Sequence, residues 1–105
     1  MKIKDLSPDE QPREKMIRSG ASSLSNTELI AILLRTGSGE VNAIDIARAL
    51  LKMSGGRLTS LSSLTVDQMR SAIFGIGEAK AITVAAAFEL GRRSHSRVSM
   101  EKGLS

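Results

Sequence analysis

Apolar residues recur along this chain at the three- and four-residue spacing of helices, in blocks separated by glycines and serine-rich steps. Pro12 is placed for a first helical turn and opens a short helix over residues 12–18, which Ser19 and Gly20 stop. Ser25 with Glu28 three residues on forms a capping-box pattern. It predicts a helix whose Leu29, Ile30, Ile32, Leu33 and Leu34 cover a broad apolar face before Gly37 and Gly39. A third helix is expected over about 42–53, with Ile44, Ala47, Leu50 and Leu51 on one side and Gly55-Gly56 as its stop. Leu58, Leu61 and Leu64 then recur every third residue, which predicts a short helical turn packed on the core. Thr65 with Gln68 repeats the capping-box pattern and starts a helix through about Ile73. The longest helix is expected over about 78–93, with Ala81, Val84, Ala85 and Phe88 as a stripe that Ile82, Ala86 and Leu90 widen. From Ser94 the chain turns polar and basic, as a tail or linker would.

These elements predict an all-α fold: a compact five-helix domain over residues 1–93, followed by a polar tail or linker over 94–105. A repeat runs through it. Gly37-Ser38-Gly39-Glu40-Val41-Asn42-Ala43 has the spacing of Gly75-Ile76-Gly77-Glu78-Ala79-Lys80-Ala81, and Ile44, Ile46, Ala47 and Leu50 match Ile82, Val84, Ala85 and Phe88. Each copy reads as helix, glycine hairpin, helix, and two such units are expected to pack about a pseudo-twofold axis. The first copy has Ser38 where the second has Ile76, so the second hairpin is the better anchored.

The hairpin at residues 74–81 is the candidate site. Gly75 can end the preceding helix with positive φ, Ile76 is expected to tuck inward, and Gly77 leaves the backbone open to an approaching anion. Ala81 lets the two helices cross closely, and Lys80 can add a point charge. The first N–H groups of the following helix lack intrahelical partners, and the macrodipole adds positive potential there. Such an end suits phosphate. Glycine after a helix also serves a plain turn, and Glu78 would repel an anion if it pointed that way.

The chain is mildly basic. Lys and Arg number 15 against 11 Asp and Glu, for a net charge of +4. Residues 57–105 carry 7 basic and 4 acidic groups, against 8 and 7 in residues 1–56. The excess therefore lies in the half that holds the glycine hairpin, which favours a polyanionic partner, although +4 also serves plain solubility and charge alone does not separate the two. Phe74 and Phe88 are the only aromatic residues, so there is no platform for stacking single-stranded bases, and any nucleic-acid contact would be to backbone. The chain has no cysteine and one histidine, His95, so no metal site is expected. No apolar run approaches the ~20 residues of a membrane span, and the expected location is cytoplasmic.

Several separated motifs resemble one family. Gly75-Ile76-Gly77 with Ala81 is similar to the helix-hairpin-helix motif of DNA-binding proteins. Gln11-Pro12-Arg13-Glu14-Lys15, Leu24-Ser25-Asn26-Thr27-Glu28-Leu29, Ile32-Leu33-Leu34-Arg35-Thr36-Gly37 and Glu89-Leu90-Gly91-Arg92-Arg93 resemble the amino-terminal region of the RadC family, often labelled a DNA repair family. The resemblance implies a chain that looks like the amino-terminal domain alone, cut in the linker before a JAB/MPN-like zinc metallohydrolase domain. Zinc is expected only in that absent domain, and no cofactor in this chain. It implies a non-catalytic, sequence-nonspecific double-stranded DNA-binding module. Gly75, Ile76, Gly77 and Lys80 would make the contact, helped by Arg92 and Arg93 if the helix end folds near it, with Gly37, Ser38 and Gly39 as a weaker second hairpin. The alternative is a docking module for a partner protein or for its own carboxy-terminal domain. A base-excision glycosylase, some of which use a similar hairpin, would need a lysine where Ala79 stands. The family often has a polar residue or proline before the first glycine; here it is Phe74, which is expected to pack on the hairpin.

Overall fold

A computed structural model describes the backbone of residues 11–35 and 43–104, with side chains as far as His95. The described residues form six α-helices and no strand: α1 (Pro12–Ser19), α2 (Asn26–Leu34), α3 (Ala43–Met53), α4 (Leu58–Leu61), α5 (Val66–Ala72) and α6 (Gly77–Leu104), with a 3-10 turn at Ala21–Ser23. The all-α reading holds.

Local chemistry sets the helix ends. Pro12 occupies the first turn of α1, and Gly20, at φ 89°, closes it by donating its N–H to the Met16 carbonyl at 2.8 Å. The Ser25 N–H donates to Glu28 Oε1 at 2.8 Å and the Glu28 N–H to Ser25 Oγ at 3.1 Å, so two orphan donors of α2 are satisfied reciprocally. Thr65 and Gln68 repeat this at α5, at 2.8 and 3.0 Å. At the end of α3 the Gly56 N–H reaches back to the Leu51 carbonyl and the Gly55 N–H to Lys52. That is a Schellman stop, with Gly55 at φ 65°.

One apolar core joins these helices. Leu34 of α2, Leu50 of α3, Leu61 of α4, Met69 of α5, Ile76 of the hairpin and Val84 of α6 are its largest fully buried side chains. α2 packs on α3, α5 packs on α6, and α2 also crosses α6. The first hairpin, Gly37, Ser38 and Gly39, lies outside the described residues.

α6 does not stop near Arg93, where the sequence turns polar, but continues to Leu104. Its 28 residues span about 42 Å. No proline interrupts it and the first glycine after Gly91 is Gly103, so the backbone can stay helical although no apolar stripe continues.

Lys15 of α1 donates to Glu28 Oε2 at 3.3 Å and ties α1 to the start of α2. The Ser25 N–H, and after it Lys15, hold the Glu28 carboxyl below its ordinary value, with burial opposing. A depressed folded-state value means the unfolded chain binds this proton more readily. The stabilisation is therefore complete above the ordinary glutamate range and is lost as pH falls through the depressed value. Urea midpoints of the parent and Glu28→Gln should differ at neutral pH and converge as pH falls through the depressed value. Equal pH profiles would show that Glu28 is not linked to folding.

Candidate functional site

The candidate site is the link between α5 and α6. Ile73 follows α5 in extended conformation and donates its N–H to the Met69 carbonyl at 3.0 Å, with its side chain buried. Gly75 takes φ 93° and Gly77 φ 69°, a region that a β-carbon disfavours. Between them the Ile76 N–H approaches the Ile73 carbonyl at 3.4 Å, and its side chain is 1% exposed. Ile76 thus pins the turn to the core, as its place between two glycines predicts. Ala81, one turn into α6, is fully buried.

On the outer side of the turn the backbone is open. A β-carbon placed on Gly77 would meet no atom within 4 Å. Gly77 opens α6, so the first N–H groups of a long helix lie at this turn, with Glu78 and Lys80 in the same turn. Glu78 is exposed and Lys80 half-buried.

Phe74 departs from expectation. It does not pack on the hairpin; it is 100% exposed. Ile73 and Ile76 both take the inward direction, and the chain reverses between them, so the residue following Ile73 is turned outward. Beside it lies a shallow concavity lined by Ala72, Ile73 and Phe74 and by Asp45, Ile46 and Ala49 of α3. Asp45 pairs with Arg48 at 3.4 Å, so α3 brings an ion pair toward the hairpin. Nothing local in the sequence signals that neighbourhood, because it joins residues nearly thirty apart.

Arg92 and Arg93 are not brought to the hairpin. They lie on α6 15 and 16 residues beyond Gly77, or about 22 Å along the axis. Both are engaged by Glu89: Arg92 Nη2 at 2.6 Å from Oε1 and Arg93 Nε at 2.9 Å from Oε2. Arg92, then Arg93, hold the Glu89 carboxyl below its ordinary value. Arg92 Nη1 also donates to the Ser62 carbonyl at 3.0 Å, latching α6 to the end of α4. Spacing alone does not reveal that reach across thirty residues.

Among the described residues, no three His, Cys, Asp or Glu side chains gather where they could hold a metal ion. His95 is exposed on α6. No described helix is long and apolar enough to cross a membrane.

Comparison with known proteins agrees with the RadC resemblance. A family model described as UPF0758 N-terminal matches residues 3–82. A UPF0758 protein of Pelodictyon phaeoclathratiforme is 41% identical over 102 residues, covering 97% of this chain and 45% of the relative. One from Bacillus licheniformis is 47% identical over 96 residues, covering 91% and 42%. One from Bacillus pumilus is 48% identical over 99 residues, covering 94% and 43%. The chain spans less than half the length of these relatives. No solved structure matches.

Proposed function

This chain belongs to the UPF0758 family and carries its N-terminal domain, and from that premise we propose that it is a non-catalytic module that holds duplex DNA by its phosphates, without reading sequence. The observation that carries the reading is the turn at Gly75-Ile76-Gly77. It is pinned inward by a buried isoleucine, has positive φ at both glycines, and leaves open space at the start of α6. A rigid backbone donor array at a helix start suits a phosphate oxygen. Lys80, in the first turn of α6, supplies the cationic side chain.

Contacts of this kind fix a protein on DNA and carry no base information. Arg92 and Arg93 are left out of the contact, because Glu89 engages both and α6 carries them away from the turn.

Lys80→Glu tests the reading. An acidic residue in the first turn favours the helix dipole, while the site loses a positive charge and gains a negative one. Fluorescence anisotropy of a labelled duplex should show at least roughly ten-fold weaker binding, with unchanged helical circular dichroism. Equal affinity of parent and variant would remove Lys80 from the contact. No binding by the parent at low salt would leave docking of a protein partner as the function of this domain.

A further inference from the structure

α6 outruns the bundle it belongs to. Ala81 and Val84 are fully buried and Phe88 packs partly against the core, yet every residue from 90 to 95 is exposed. Alongside runs an apolar groove. It is made of two adjoining concavities that share Leu58 and Phe88: one is completed by Leu29 and Leu33 of α2, the other by Thr59, Gly91 and His95 and by the hydrogen-bonded Arg92 and Ser62. Leu58 is 37% exposed, on the groove's rim.

Gly91 is the independent clue. It sits well inside α6 with ordinary helical handedness, where glycine costs about 1 kcal/mol of helix stability relative to alanine. A β-carbon built there would meet nothing within 4 Å, so no described neighbour requires its absence. A glycine on the wall of an apolar groove fits the close approach of another backbone.

We propose that this groove, across Gly91, seats the region that follows the N-terminal domain in the full-length family polypeptide. The matched relatives are more than twice as long as the aligned segment, and the matching family model describes that segment as N-terminal. Their remaining chain therefore follows the helix that walls the groove. The groove offers far fewer contacts than the 20–30 residues a side of a stand-alone interface, which disfavours a second copy or a free partner. A tethered segment needs less, because a covalent link raises its effective concentration where the linker can span back from the end of α6. The proposal does not rest on the DNA reading, since groove and hairpin lie at different positions along α6.

The test compares this chain with a full-length family polypeptide carrying the same domain, by amide hydrogen exchange. In the full-length protein, α4 and residues 86–95 should exchange at least roughly ten-fold more slowly than in this chain alone. Gly91→Gln should raise the Tm of this chain, because it improves the helix, yet abolish the added protection in the full-length protein. Leu58→Ser, on the opposite wall, should abolish it too without the helix gain. Equal exchange in the two proteins would overturn the proposal, as would protection that survives both substitutions. Protection that disappears on dilution of the full-length protein would assign the groove to a second copy and overturn it as well.

Discussion

Replacing Ile76 by alanine is expected to lower the stability of this domain by about 2–5 kcal/mol, the range for emptying a filled core site. Ile76 is 1% exposed and belongs to the same apolar cluster as Leu34, Leu50, Leu61, Met69 and Val84, so three carbons leave a space that several helices border. A domain of this size has about 5–15 kcal/mol in total. The substitution therefore removes a large share of it, and the urea midpoint should fall accordingly. Phe74→Ala, two residues earlier, should stay within about 0.5 kcal/mol of the parent, because that ring is fully exposed. Judged by side-chain size alone, the larger loss would fall on Phe74. Comparable losses for the two variants would mean that the hairpin is turned the other way.

The contrast between these two residues marks where the sequence stops being informative. The starts of α2 and α5 are legible, because each capping box closes within four residues and needs nothing from the rest of the fold. The ends of α1 and α3 are legible for the same reason, in the glycines that take positive φ. Ile76 is legible as an anchor, being the apolar residue between two glycines. Phe74 is not. Its direction depends on Ile73 already occupying the inward position, and composition suggests only that a phenylalanine should be covered.

Helix α6 shows a second limit. Periodicity reports which face of a helix is buried, and it falls silent when the helix leaves the bundle. The stripe through Ala81, Val84 and Phe88 is visible in the sequence, whereas the stretch to Leu104 has no apolar period to announce it. Long-range placement is the third limit. The Arg92 contact with the Ser62 carbonyl and the nearness of Asp45 to Phe74 both join distant segments. The first contact matters for function, because it helps explain why Arg92, which looks available in the sequence, is engaged away from the hairpin.

The central claim is that the turn at Gly75-Ile76-Gly77 holds duplex phosphate, and the salt dependence of binding tests it most directly. With Lys80 as its cationic side chain beside the helix-start N–H groups, the proposed contact should neutralise roughly one to two phosphates, a log–log slope of about −1 to −2. Affinity should then fall roughly 4- to 16-fold between 50 and 200 mM salt, alike for two duplexes of unrelated sequence. A slope near zero, a strong preference for one duplex, or no binding at low salt would contradict the account.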